Sequence, residues 1–413
     1  MALKIVHIST HDNGGAGLAA YRLHRGLLCH GIESRMIVAH KTKDDNTVIL
    51  ATQDERLLYQ PPKNTILRKY QKIMRRRGKY LTRFERTQKE IEGLHNLHPD
   101  VFYTSPISTY NLSVHPLVQE ADVIHLHWVQ NFVNFDFFFQ NVKKTIVWTF
   151  HDLNPMMGGF HYEIPQKKYH NDFKCIEEEF YAIKKNAISH ASNLSIVAIS
   201  KQMKDRISNH EFYKDKTIYN IPNSVDGNSF IQHDKKQVRQ LLGIPLDKTV
   251  FLFSSLVLYD KRKGLDVLIE ALEQEKDNAL LICLGEGTAC SHNGVIIRNF
   301  SLLYDSEWIS MLYSAADYFV SPSCEESFLQ TALESLSCGT PVIMTPVGIG
   351  EELITTQNGV LCSDFTPEAI VEGITIALSR NYDREAMRND VLKRFGIDVV
   401  VKKHLDMYNS ILK

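Results

Sequence analysis

The chain lacks a long apolar run. Nowhere in its 413 residues does a hydrophobic stretch approach the roughly 18–20 residues needed to span a bilayer. The opening Met1-Ala2-Leu3-Lys4-Ile5-Val6-His7-Ile8 is too short and too polar for a signal peptide and reads as a buried strand. Cysteine is sparse and unpatterned. The seven cysteines, at 29, 175, 283, 290, 324, 338 and 362, are scattered and form no Cys-x-x-Cys. That excludes a disulfide framework and a cysteine zinc site. An excess of one charge sign is also missing: 47 basic residues face 48 acidic ones, for a net charge of −1. A dedicated nucleic-acid binder usually has a clear positive excess, so that class loses ground. Hydrophobic residues at 44% and charged residues at 23% rule out disorder for the bulk of the chain. There is no tandem repeat and no low-complexity tract. The expectation is a reduced, cytoplasmic protein of two or three domains, at roughly 150 residues per domain.

What is present is alternation. Apolar strand-like runs and helix-period segments follow one another from end to end, the signature of an α/β fold with mainly parallel sheets. In the first half, strands are expected at 5–8, 36–39, 123–126, 145–150 and 194–199. Helices are expected there at 18–29, 173–190 and 201–209. In the second half, strands are expected at 250–254, 280–284, 295–298, 318–320 and 342–345, with helices at 265–273, 305–315, 328–337 and 367–378. These make two successive doubly wound, Rossmann-like units, 1–222 and 223–394, followed by a last helix over 395–413. Proline, asparagine and glycine cluster at 221–227, as a linker requires. Such units bind ligands at the carboxyl ends of their strands, here in the cleft between them.

One segment breaks the alternation. Residues 63–89 hold eleven basic residues and a single acid, Glu85, around Arg75-Arg76-Arg77-Gly78-Lys79. Ile66, Leu67, Tyr70, Ile73, Met74, Tyr80, Leu81 and Phe84 interleave at approximate helical spacing. A basic amphipathic helix can lie on an anionic membrane surface. The alternative is a solvated insertion packed by its apolar side. Nucleic acid is not expected, because no aromatic stacking module accompanies the charge.

Five motifs carry chemistry. Gly14-Gly15-Ala16-Gly17 follows strand one and opens a helix, where backbone N–H groups can approach an anion. Gly15-x-Gly17-x-x-Ala20 fits the dinucleotide fingerprint, but strand two ends in Val38-Ala39-His40-Lys41, with no acid for a ribose, so nicotinamide is not expected. Thr149-Phe150-His151-Asp152 ends a strong strand, and Asp152 could orient the His151 imidazole; a turn aspartate beside a capping histidine is the alternative. In His125-Leu126-His127-Trp128 alternate residues point the same way, so the two imidazoles could share a metal with His151. Histidines that pack and hydrogen-bond at a strand end are commoner, and no metal site is assigned.

The fourth motif carries most weight. It runs Ser321-Pro322-Ser323-Cys324-Glu325-Glu326-Ser327-Phe328-Leu329-Gln330-Thr331-Ala332-Leu333-Glu334, then Cys338-Gly339-Thr340-Pro341-Val342. Glu326 should sit in the loop at a helix entrance and Glu334 about two turns further on. Between them the helix N-terminus offers free N–H groups and a positive dipole to a phosphate. Two carboxylates flanking a phosphate site suit a nucleotide sugar, with the sugar near Glu326 and the ribose near Glu334. The fifth is Tyr259-Asp260-Lys261-Arg262-Lys263-Gly264, whose cations can neutralise a diphosphate leaving group. Gly285-Glu286-Gly287 offers a further backbone approach to a nucleotide.

Together these residues resemble the family 4 retaining nucleotide-sugar glycosyltransferases of GT-B fold, most of all the branch that builds bacterial surface polysaccharides such as colanic acid. The likeness covers nearly the whole chain. It runs from His11-Asp12-Asn13-Gly14-Gly15-Ala16 through Asp122–Trp128 and Trp148–Pro155 with Gly158-Gly159. It continues through Pro222-Asn223-Ser224-Val225-Asp226 and Arg262-Lys263-Gly264 to the glutamate pair. The resemblance implies two Rossmann-like domains facing a central cleft. It also implies sugar transfer from a nucleotide-diphosphate donor to a saccharide or lipid-linked saccharide, without cofactor or metal, at the inner face of the cell membrane. Glu326 would hold the donor sugar hydroxyls, Glu334 the ribose, Thr331 and neighbouring amides the phosphate, and Lys263 with Arg262 the departing diphosphate. Gly14, Gly15, Gly285 and Phe328 complete the donor set, and His127, His151 and Asp152 face the acceptor. In the family, glycines usually follow the first glutamate; here Ser327 and Leu329 replace them. Two rival readings are a nucleotide-sugar epimerase of similar shape and a catalytically silent GT-B partner subunit.

Overall fold

The computed structural model describes residues 3–54, 64–76, 80–275, 277–291, 294–301 and 305–413. The chain divides into two compact units. The first comprises Met1–Ala198, Lys204–Tyr219 and Met407–Lys413; the second comprises Ile199–Met203 and Asn220–Asp406.

The first unit runs β1 (Lys4–His11), α1 (Gly14–Cys29), β2 (Glu33–His40), β3 (Val48–Leu50), α2 (Thr65–Arg76), α3 (Arg83–Leu97) and β4 (Val123–Leu126). It continues through β5 (Thr145–Phe150), α4 (Glu163–Ser189), β6 (Leu194–Ala198) and β7 (Thr217–Asn220). Its sheet has the order β3-β2-β1-β4-β5-β6-β7. The strands β1, β2, β4, β5 and β6 pair in parallel with their neighbours. All four residues of β4 are buried, as in a parallel sheet covered on both faces. The turn from β1 into α1 is tight. A Cβ at Gly17 would lie 2.5 Å from the His11 carbonyl oxygen, so glycine is needed for close strand–helix approach.

The second unit runs β8 (Thr249–Val257), α5 (Leu265–Leu272), β9 (Ala279–Glu286), β10 (Ile296–Phe300), α6 (Ser306–Ala315), β11 (Tyr318–Ser321) and α7 (Gln330–Ser337). It continues through β12 (Val342–Met344), β13 (Gly359–Leu361), α8 (Pro367–Leu378) and α9 (Arg384–Phe395). The sheet order is β10-β9-β8-β11-β12-β13, with parallel pairs throughout. Alternate residues of β8 feed opposite faces. Val250 and Leu252 pack with Leu312, Leu336 and Met387 of α6, α7 and α9. Phe251 and Phe253 pack with Leu268 and Ile370 of α5 and α8. Helices therefore cover both faces of the sheet, which makes the unit doubly wound. The last helix, α10 (Ile397–Ile411), begins in the second unit and ends in the first.

Two expectations need correction, and three short strands were not expected at all. The helix placed at 328–337 starts at Gln330, because Leu329 adopts a left-handed backbone with φ 77° and cannot enter the helix. The helix placed at 173–190 starts ten residues earlier, at Glu163. The short strands β3, β7 and β13, at or next to the sheet edges, fell below the apolar-run signal. In the basic segment, Asn64–Arg76 and 80–89 are described, with the exposed apolar residues Ile66, Leu67, Tyr70 and Ile73 on α2. Lys63 and 77–79 lie outside the described residues.

Candidate functional site

In each sheet the strand order reverses next to the first strand of the unit: between β1 and β4, and between β8 and β11. Ligands of open α/β sheets bind at the carboxyl ends of the strands at such a switch point. In the second unit those ends carry the loops 258–264 and 322–329.

These two loops are bound together. The Cys324 amide donates to the Arg262 carbonyl at 2.9 Å. Gly264 sits at φ 72°, and a Cβ there would lie 2.4 Å from the Pro322 carbonyl oxygen. Only glycine satisfies both conditions. The closure brings Lys263 Nζ to 2.5 Å from Glu326 Oε1, and the Ser323 hydroxyl donates to the same oxygen at 3.0 Å. The ion pair is largely shielded: the Lys263 side chain is 22% exposed and the Glu326 side chain 9%. Two residues separated by 63 positions, singled out for different reasons, thus meet. Arg262 behaves differently. Its guanidinium is held by Asp260 Oδ2 at 2.6 Å and reaches the Glu325 carbonyl at 3.4 Å.

The helix α7 opens without a side-chain cap. The Thr331 hydroxyl in its first turn is shielded and has no hydrogen-bond partner among the described residues. Glu334 is buried on the same helix. Phe328 is buried too, with its carbonyl accepting from the Ile349 amide at 3.1 Å. Gly285 is explained by packing: a Cβ there would meet the Ser255 carbonyl oxygen at 2.2 Å. The chain's own backbone, not an approaching ligand, accounts for that glycine. Cys324 lies beside the pair, its thiol pushed up by burial and by Glu325.

In the first unit, Gly14 (φ 66°) and Gly15 open α1, and a Cβ at either would meet nothing within 4 Å. The neighbouring Asp12 is buried and accepts from the Thr42 amide, the Thr42 hydroxyl and the Lys43 amide. It fixes the turn that presents the glycines, a role sequence reading missed. Asp152 does not serve His151. Its Oδ2 lies 2.6 Å from His161 Nδ1 and accepts from the Trp128 indole at 2.8 Å, while Oδ1 accepts from the Asn154 amide. Burial opposes ionisation of this carboxyl, but His161 and these donors outweigh it and hold its pKa below the usual range. His151 instead places Nε2 3.2 Å from His127 Nδ1.

The loop after β5 rests on two charged side chains of α4. Buried Glu177 accepts from the amides of Gly158 and Gly159 at 2.7 Å each and from the Tyr103 hydroxyl. Lys184, also buried, donates to the Asn154 carbonyl, to Asn154 Oδ1 and to the Met157 carbonyl, at 2.6, 2.7 and 2.9 Å. A Cβ at Gly158 would strike Glu177 and one at Gly159 would strike Tyr103, so the Gly-Gly pair is what admits the clamp. The residues able to hold a metal also differ from expectation. His7, His125 and His127 bring ring nitrogens within 4.8 Å of one another, so the third imidazole beside the His125–His127 pair is His7 and not His151. His125 is engaged on both nitrogens, by the Tyr408 hydroxyl at 2.6 Å and the Thr149 hydroxyl at 2.7 Å.

Comparison with known proteins agrees with this layout. Residues 248–380 match the family described as Glycosyl transferases group 1. An uncharacterized glycosyltransferase of Methanocaldococcus jannaschii is 27% identical over 318 residues, covering 70% of this chain and 76% of that protein. The O-antigen biosynthesis glycosyltransferase WclY of Escherichia coli is 27% identical over 204 residues, covering 47% of this chain and 56% of that protein. HepE of Anabaena, solved in complex with UDP-glucose, superimposes over 99% of this chain and 100% of its own, with a TM-score of 0.62 at 17% identity. Residues 248–380 thus resemble the group 1 glycosyltransferases, and the fold is GT-B.

Proposed function

We propose that the protein is a retaining glycosyltransferase that moves a sugar from a nucleoside-diphosphate donor to a saccharide or lipid-linked saccharide acceptor in surface polysaccharide synthesis. The observation that carries this is the Lys263–Glu326 pair at the switch point of the second unit. An ammonium and a carboxylate side by side match the two ends of the bond that breaks. Lys263 stabilises charge developing on the departing diphosphate, and the uncapped N-terminus of α7 and the Thr331 hydroxyl add donors. Glu326 accepts from sugar hydroxyls, and Glu334 takes the ribose. Arg262 adds its charge from its pairing with Asp260. These groups do the work of a metal, so transfer proceeds in chelator. Glycosyltransferases of polysaccharide and O-antigen synthesis among the relatives support the pathway assignment.

The acceptor side is assigned to the first unit, where His127, His151 and Asp152 lie and where Gly14 and Gly15 leave open space at the start of α1. No helix among the described residues is long and apolar enough to cross a membrane. Peripheral contact runs through α2, whose exposed Ile66, Tyr70 and Ile73 share a face beside Lys69 and Lys72. The test is transfer from radiolabelled nucleotide sugars, with the anomeric configuration of the product read by NMR. Lys263→Ala should lower kcat by about 10²–10³-fold, as for loss of one transition-state donor. Undiminished transfer by that variant, or an inverted product, contradicts the reading.

A further inference from the structure

Beneath His151 lies a row of imidazoles that begins at His7, which the reaction above does not use. His7, on β1, places Nδ1 2.9 Å from His127 Nε2. His127, just past β4, places Nδ1 3.2 Å from His151 Nε2, just past β5. His7 and His127 are 0% and 3% exposed, whereas His151 is only partly buried. The row therefore leads from the sheet interior towards the carboxyl ends of the strands. His125 stands beside it, with ring centroids 4.3 Å from His127, but its own nitrogens bind Tyr408 and Thr149.

Both links join an Nδ1 to an Nε2, and that has a chemical consequence. A neutral imidazole carries one N–H and one lone pair. If His127 is protonated on Nδ1, it donates to His151 Nε2, so the His151 proton sits on Nδ1. His127 Nε2 then accepts, so the His7 proton also sits on Nδ1. If His127 is protonated on Nε2, all three carry Nε2–H. A mixed row sets two protons or two lone pairs face to face. The three rings thus share one tautomer, and the row has two coherent states.

We propose that His7 and His127 are positioning residues that set, through this head-to-tail row, the tautomer with which His151 meets the sugar or acceptor. In one state His151 offers Nδ1–H as a donor; in the other it offers an Nδ1 lone pair. A change at β1 is therefore felt at His151, two rings away. The positioning role rests on the reading of His151 as a substrate-facing group; the tautomer coupling does not.

Long-range proton–nitrogen spectra of the full chain labelled at histidine test it. His7, His127 and His151 should show the same tautomer. His7→Phe, which keeps a ring but removes the link, should change the ratio of the two tautomers at His127 and His151 while those two rings still agree with each other. It should lower kcat about tenfold, the worth of one hydrogen bond, with donor KM within about twofold. His7→Asn, whose amide can donate or accept at the Nδ1 position, should restore both, which separates coupling from a folding defect. Mixed tautomers in the unaltered protein, or a His151 spectrum untouched by His7→Phe, overturn the row. Stoichiometric zinc on the purified protein, removed together with the shared signature by chelator, overturns it in favour of a metal centre on His7, His125 and His127. A coupled spectrum with unaltered transfer overturns the positioning role, while Lys263→Ala separately reports whether the transferase reading stands.

Discussion

Single residues decide the donor loops. Gly264 and Gly14 both have positive φ, but only Gly264 is also crowded, by the Pro322 carbonyl. Gly14→Ala should cost only the left-handed penalty of about 1–2 kcal/mol. Gly264→Ala should cost more, and should also reduce transfer by displacing Lys263 from Glu326. Denaturant melts and initial rates of both variants check this; equal losses would contradict it. Leu329 illustrates what sequence could and could not tell. Its departure from the glycine that the family resemblance implies was legible, but its left-handed φ and burial in the second unit's core needed the fold. The Lys263–Glu326 contact was half legible. Each residue stood out by type, but a pairing across 63 positions follows only from the β8–β11 switch. Asp152 was misread for the same reason, since its partner His161 lies nine residues on, past a turn held by α4.

At the scale of elements, α4 is the feature that local pattern concealed. Its first turns are polar and blurred its start, and its two buried charges look like surface residues until the loop after β5 closes over them. Lys184 makes a pH prediction. Burial pushes its pKa down to about 7, opposed in part by Glu177 and Asp152. The unfolded chain has the ordinary value of 10.5. Between these values the unfolded state holds the extra proton, so stability should rise with pH across that window. Urea unfolding at pH 7 and pH 9 should show the wild type gaining on Lys184→Met; a constant difference would contradict the lowered pKa of Lys184. Strands β4 and β5 fell where expected, because a strand buried on both faces reads as a continuous apolar run. The three- and four-residue strands β3, β7 and β13 carry too little apolar pattern to be read.

At the scale of the molecule, alternation of strands and helices was enough to give two doubly wound units, because parallel sheets need a crossover at every step. Helix α2 offers a prediction at this scale. Ile66→Glu with Ile73→Glu should abolish sedimentation with anionic vesicles while leaving donor binding intact; unchanged sedimentation would remove the membrane from the account.

The central claim is that the second unit binds a nucleotide-diphosphate donor through Lys263 and the glutamate helix. The most direct measurement is thermal stability with UDP, GDP, ADP, CMP, dTDP and NAD, for the wild type, Lys263→Ala and Glu334→Ala. One nucleoside diphosphate at a hundred times its Kd should stabilise the wild type by about 2.7 kcal/mol, a rise of a few degrees. Both variants should lose that rise. A rise with NAD alone, or one that both variants keep, would contradict the account.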